Sequence, residues 1–538
     1  MTNQEGPDLF PDKDNSPLRS VPPEKLDYLV FSRYLEYVAR LTDHSAEQDE
    51  QKQSNKYEYE IGPDDTACIT RYTGIDSVLT IPSELDGHRV TGIGDAAFAG
   101  CPVLTSVTIP SGVTAIGNKA FSHCKALASV MIPNSVNTVG INPFAFCFAL
   151  ADIRISPDHP VLVLPGGALF DKAQQRLIAC PCAKTGEYTI PQGTRMIGDD
   201  AFSGCRSLTS VLIPSGVTEI GVAAFTACEA LTFLVIPDTV TGIGSKAFSG
   251  CWALTSVSIP NGVTEIGDSM FYDCPSLVSV SIPDSVTRIG NEAFYYCRSL
   301  TSVSIPRGVI EIGNEAFFDC QALTSVLIPE GVTKIGRSTF FECKSLNSVM
   351  IPDSVTRIED QAFLGCESLT SVMIPEGVAE IGDFAFKDCK SLISVLIPSG
   401  VTGIGYCAFS GCESLRSVTI PDSMTVIADE AFSGCAALTS VMIPNSVTQI
   451  GSQAFCNCSS LASVNIPDSV TDIGEKAFCS CMSLRSVWIP RNTGNIGEDA
   501  FSGCSDNLTF TLEQNSFAAL YCEKHRFPYQ YSDILSDK

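Results

Sequence analysis

Cysteine and histidine are the residues through which this 538-residue chain could do chemistry, and it carries 24 of the first and five of the second. The histidines, His44, His88, His123, His159 and His525, are scattered, and none stands at metal-ligand spacing from a cysteine pair. Cys180-Pro-Cys182 is the closest thiol pair, but a single Cys-x-Cys lacks the second half of a zinc or redox site. Cys456 and Cys479 occupy one position in neighbouring repeats, where a disulfide or a metal pair would fit; two exposed thiols is the expectation. Serine is plentiful, yet it recurs at outward strand positions with no histidine beside it to activate a nucleophile. The repeated Ile-Gly is turn chemistry and no phosphate-cradling loop is present. The sequence predicts no catalytic, cofactor or metal site.

What organises these residues is a period. Counting back from Cys504 in steps of 23 meets cysteine thirteen more times, down to Cys205, and Cys147, Cys124 and Cys101 form a second run upstream. The gap from Cys147 to Cys205 is 58 residues, one period plus 35, so an insertion interrupts the register. A period of about 20–30 residues held this long signals a stacked solenoid rather than several globular domains. A regular column of this kind argues for free thiols stacked in a core, where cysteine acts as a small apolar residue.

One repeat, CRSLTSVSIPRGVIEIGNEAFFDC from Cys297 to Cys320, supplies the elements. Leu300, Val303 and Ile305 alternate with Ser302 and Ser304 as a short strand, and Pro306 with Gly308 makes a turn. Val309 and Ile312 return inward. Asn314–Phe317 suits one helical or 3₁₀ turn, with Phe317 packing on the next coil's phenylalanine. A single coil buries too little to stand alone, so both ends need caps.

Along the chain, residues 1–56 read as a disordered tail plus an amphipathic helix over about 22–43, with Leu26, Val30, Tyr34, Leu35, Val38 and Leu41 at helical spacing, and a charged tether. Residues 57–100 form an N-terminal cap and first coil, opening on a hairpin that turns at Gly62-Pro63-Asp64. Residues 101–504 are repeats, with the insertion at about 156–188 read as a hairpin of 168–171 and 176–180. Residues 505–538 form a C-terminal cap and tail, with a strand at 508–512 and a short helix around 516–524.

The net charge of −26, from 60 acidic and 34 basic residues, argues against nucleic acid and anionic membrane as main partners. No secretory leader is visible, and no apolar run approaches the roughly 18–20 residues that span a bilayer.

The sentence IPxSVTxIGxxAFxxCxSLTSVxIP resembles the BspA-like subclass of leucine-rich repeats over roughly residues 57–530. That resemblance implies an α/β repeat solenoid of leucine-rich-repeat type, with a short parallel strand per coil, a turn or 3₁₀ back side, and caps at both ends. It also implies non-enzymatic, adhesin-like recognition of a host matrix or cell-surface protein, and so a surface or secreted location. The absence of a visible leader points instead to the cytoplasm and to an intracellular scaffold, with the 22–43 helix as its docking element. A carbohydrate-active parallel β-helix enzyme is the rival class, but it needs polar clusters on adjacent coils and none stands out.

If a ligand binds, the informative column is the outward strand position seven residues after each cysteine. It reads serine at 258, 281 and 304, then Leu327, Met350, Met373 and Leu396 on four consecutive coils, with Met442 and Trp488 further on. Methionine and tryptophan on the strand face suit binding of a protein partner, and the plainer account is strand-to-strand packing. A second stripe, Tyr272, Tyr295, Phe318 and Phe341, suits self-association or semi-buried packing under the loops.

Overall fold

The computed structural model describes residues 53–532, which divide into two compact units, one ending at Glu229 and the other beginning at Ala230. The tail over 1–21 and the helix over 22–43 lie outside the described residues, as does the tether apart from Gln53–Lys56, a 3₁₀ turn.

In the first unit, Tyr57–Ile61 and Thr66–Tyr72 pair antiparallel as the entry hairpin. Thr66–Tyr72 then starts a parallel ladder with His88–Ile93, Ala115–Ile116 and Thr138–Val139. A second parallel ladder runs through Val78–Thr80, Ser106–Thr108, Ser129–Met131 and Asp152–Arg154. Most coils thus contribute two strands, typically one three residues long and one two, joined by turns. In the insertion, Leu169–Asp171 and Arg176–Ala179 pair antiparallel, and Arg176–Leu177 continues in parallel onto Met196–Ile197. The hairpin's second strand therefore stands in for a coil's short strand. Beneath it the back side closes directly, with the amide of Phe146 donating to the carbonyl of Ser203 at 3.1 Å. The buried pair Lys119–Asp200, 3.0 Å apart, ties the same seam.

In the second unit the coil from Cys297 to Cys320 shows why the repeat stacks. Leu300, Val303, Ile305, Val309, Ile312, Ala316 and Phe317 are buried and Ser302 and Ser304 exposed, the alternation expected of a strand, although residues 300–305 are not a ladder strand in this coil and its strand is Glu311–Ile312. Phe317 stacks on Phe294 at 5.2 Å and on Phe340 at 5.5 Å, with ring planes 6° and 4° apart. Asn291 accepts from the amide of Asn314 through its side-chain oxygen, and Asn314 does the same for Arg337 one coil on, at 2.9 and 3.1 Å. Gly313 is glycine because coils touch there: a Cβ would lie 2.5 Å from the amide nitrogen of Asn291.

The back side corrects one expectation. Asn314–Phe317 is not a helical or 3₁₀ turn but part of a chain of linked turns, because Glu315 and Asp319 adopt left-handed φ of 57° and 55°. That conformation swings the amides of Glu315, Phe317 and Asp319 along the stack, where they donate to Arg337, Thr339 and Phe341 at 2.9, 2.9 and 2.7 Å. A helical turn would have spent those donors within its own coil. The cost of a left-handed non-glycine residue, about 1–2 kcal/mol, is offset by satisfying three buried-side donors.

The unit closes with Thr509–Leu512, parallel to Ser486–Ile489, the helix Phe517–His525, which buries Ala518, Tyr521 and Cys522, and Tyr529–Tyr531, parallel to Thr509–Leu512. Tyr521 sets its ring edge-on to Phe501, the last phenylalanine of the stack, 6.2 Å away.

Candidate functional site

The strand face carries the candidate residues as the alternation demands. Leu327, Met350, Met373 and Leu396 are 60, 68, 80 and 62 % exposed, and Met442 is 79 % exposed. Leu327 stands opposite Met350 in one parallel pair, and Met373 opposite Leu396 in another. Between them Ser325, Ser348, Ser371 and Ser394 are exposed too, so the face is an apolar line with a hydroxyl line beside it. Inside, Val326, Val349, Val372 and Val395 are buried and fix the orientation of their neighbours. Packing between strands does not consume the four side chains: with more than half of each surface open, they remain available. Trp488 differs. It is half-buried between Asn465 and Thr511 on the flanking strands, close to the C-terminal cap, and is set apart from the Met350–Met373 run.

The second stripe is a ring stack on the back side. Tyr272–Tyr295, Tyr295–Phe318 and Phe318–Phe341 lie 4.8, 4.4 and 4.3 Å apart, with planes within 5°, 12° and 4°. All four are half-buried, and burial raises the Tyr272 and Tyr295 hydroxyls above their ordinary value. Ring faces spent on each other leave only edges for a partner.

Cys456 and Cys479 belong to this same back-side column. They are not exposed thiols: they form a disulfide with Cα atoms 4.6 Å apart, and both are buried. The stacking that brings aromatic rings face to face on other coils brings two sulfurs within bonding distance here. The other 22 cysteines are free, and all but Cys68 and Cys504 are buried. Cys180 and Cys182 do not pair with each other. Cys182 directs its thiol to the carbonyl of Ser203 at 3.4 Å, and Cys205 lies against the same turn. From Cys274 to Cys504 every column thiol donates to the carbonyl of a phenylalanine 26 residues earlier, at 3.2–3.4 Å. Burial pushes these thiols up, to about 12 at Cys458 from an ordinary 9.0. Cys504 is the exception, held below its ordinary value by the neighbouring Cys481 thiol.

The histidines do not converge. His159 is buried in the insertion, its Nε2 3.2 Å from the carbonyl of Pro133, while His123 stacks on Phe146 at 4.5 Å. Among the described residues no group of three or more His, Cys, Asp or Glu is arranged to hold a metal. No helix among them is long and apolar enough to cross a membrane.

One feature escaped the sequence reading. On the short-strand face an open groove of about 470 Å³ is lined by Arg337, Arg357, Glu359, Asp360, Glu380 and Asp383. Its signal lay in the position before the short-strand isoleucine of each coil, which reads Glu311, Lys334, Arg357, Glu380 and then Gly403. Its charges are answered locally, Arg357 by Glu380 at 3.1 Å and Lys334 by Glu359 at 3.3 Å. Such exposed pairs carry little binding energy of their own.

Comparison with known proteins adds the family. The BspA type leucine rich repeat region matches in six copies, over residues 79–162, 179–301, 287–415 and 379–509. No curated protein matches. Among solved structures, a leucine-rich repeat protein from Bacteroides ovatus is 24 % identical and covers 91 % of this chain and 100 % of its own, with a TM-score of 0.40. A leucine rich cell surface protein from Faecalibacterium prausnitzii is 28 % identical over 82 % of this chain and 95 % of its own, with a TM-score of 0.35. A leucine-rich repeat protein from Eubacterium ventriosum is 22 % identical over 62 % of this chain and 92 % of its own, with a TM-score of 0.38.

Proposed function

Because this chain belongs to the BspA-type leucine-rich repeat family, we propose that it is a non-enzymatic scaffold that captures a protein partner, adhesin-like, through its strand face. Solenoids of this kind present an extended surface on which a few outward side chains set specificity while the inward ones are fixed by stacking. The observation that carries the reading is the run Leu327, Met350, Met373 and Leu396, apolar and 60–80 % exposed on four successive coils whose equivalents elsewhere include serine, threonine and asparagine. Met442 extends the run beyond Thr419, and half-buried Trp488 is its outlying member. The ring stack Tyr272, Tyr295, Phe318 and Phe341 is read as coil packing whose exposed edges offer a surface for self-association.

A host matrix or cell-surface protein is the partner class that the adhesin reading names. The test immobilises the full chain and compares it with Met350→Asp/Met373→Asp for capture of proteins from an extracellular-matrix preparation. Both side chains point to solvent, so the variant is expected to unfold at the same temperature and to lose the captured partner. Undiminished capture removes the stripe as a site.

An intracellular scaffold of the same fold is the second reading, favoured by the 22 free cysteines, which are unusual in an oxidising compartment. The Cys456–Cys479 disulfide favours the first. Labelling of intact cells with a membrane-impermeant reagent separates them: a labelled chain is exported and an unlabelled one is not.

A further inference from the structure

We infer that the stripe Leu327–Met350–Met373–Leu396 takes an amphipathic α-helix bearing basic residues along one flank, lying lengthwise across the coils. The inference rests on the strand face being the binding surface, and it names the chemistry of what binds there.

Spacing selects the helix. Parallel strands stack about 4.8 Å apart, and on these same coils the core rings Phe317, Phe340, Phe363 and Phe386 follow one another at 5.5, 5.3 and 5.2 Å. A helix whose apolar residues alternate three and four apart advances about 5.3 Å from one to the next, at about 1.5 Å per residue. An extended segment shows the same face only every about 6.7 Å. Across four coils the helix drifts about 1.5 Å from register, whereas the extended segment overshoots by about 6 Å, more than a whole coil. Only the helix seats a side chain on each member of the stripe. Methionine, unbranched and polarizable, absorbs the remaining drift.

Charge selects the flank. Three residues beyond Leu327, Met350 and Met373 stand Glu330, Asp353 and Glu376, all exposed. They are the only three consecutive acidic residues in that column, which reads Arg307 on the coil before and Ser399 on the coil after. Lys334 and Arg357 are engaged elsewhere, with Glu359 and Glu380, and the cation beside the rim is Arg307, one coil before Glu330. On the other side of the stripe Thr324, Asn347 and Thr370 are exposed and neutral. An apolar line with an anionic rim on one side matches a helix with lysine or arginine on one flank and uncharged polar residues on the other. Residues 22–43 of this chain make a poor match, with four acidic and three basic residues.

The test titrates the full chain against fluorescent helical peptides of about four turns. One has leucine on its apolar face and lysine on one flank; a second replaces lysine with glutamate, a third replaces leucine with serine, and a fourth is residues 22–43. The leucine/lysine peptide is expected to bind. Glu330→Gln/Asp353→Asn/Glu376→Gln should weaken it by about ten-fold or more and flatten its salt dependence. The same column neutralised elsewhere, Asp284→Asn/Asp422→Asn/Asp468→Asn, should leave it unchanged. Equal binding of the glutamate or serine peptide, an equal loss in that control, or tighter binding of residues 22–43 overturns the inference. Loss of binding in Met350→Asp/Met373→Asp with none in the rim variant overturns the basic helix and leaves the strand-face reading standing. Binding undisturbed by either variant removes both.

Discussion

The thiol of Cys320 donates to the backbone carbonyl of Phe294, 3.2 Å away and one coil back. The same carbonyl accepts from the amide of Cys297 at 3.1 Å, so both of its acceptor positions are used inside the core. The column cysteine is therefore a compact apolar residue that also carries a weak donor aimed at the preceding coil.

Removing that donor and its volume together should be felt. Cys320→Ala is expected to cost about 1–2 kcal/mol, from a small cavity and a lost weak hydrogen bond. Urea unfolding of the full chain measures it. Cys320→Ser, which keeps a donor, should unfold at higher urea than Cys320→Ala; equal midpoints would mean that only volume matters.

Accessibility orders the thiols. In the native chain a thiol reagent at neutral pH should reach Cys504 first, then Cys68, and leave the buried column untouched. In denaturant without reductant, 22 of the 24 cysteines should react, and all 24 after reduction. A count well below 22 would show further disulfides.

The buried column also makes the fold alkali-sensitive. Burial raises these thiols, so the folded chain keeps protons that the unfolded chain releases above about pH 9. Their contribution is complete below the unfolded value and is lost as pH climbs towards the folded one. At Cys458 that window runs from about 9 to about 12. The unfolding temperature should hold steady from pH 7 to about 8.5 and then fall steeply. A flat profile to pH 11 would contradict the assignment.

Two glycines separate contact from freedom. Gly313→Ala would place its Cβ 2.5 Å from a backbone nitrogen of the previous coil, whereas at Gly403 a Cβ meets nothing within 4 Å. The first substitution should destabilise by about 2–3 kcal/mol and the second by less than about 0.5 kcal/mol, with thermal unfolding as the readout.

Much of this was legible before any coordinates. The 23-residue spacing of cysteine and phenylalanine specifies stacked coils, and alternation at Val326-Leu327-Ile328 specifies which side chain faces out. The partner of the thiol was not legible, because it is a main-chain oxygen whose direction depends on turn geometry. Nor were the left-handed Glu315 and Asp319, which no glycine announces. Cys456 and Cys479 could be placed in one column, but their burial depends on how deep the turns around them sit. Trp488 follows the periodicity like Met350, and its half-burial between Asn465 and Thr511 does not show in that spacing. The exposure of the stripe followed from sequence; the charge at its side came from a column read only as turn.

From Phe248 to Phe501 the ring of each coil meets the next at 5.2–5.6 Å in one geometry, repeated without a specialised junction. A gene encoding such an array can gain or lose a whole 23-residue unit by unequal recombination and rebuild the same contacts at the splice. What such an event alters is the order of outward residues, so the exposed lettering of this protein is open to rapid inheritance-level editing while its spine stays constant.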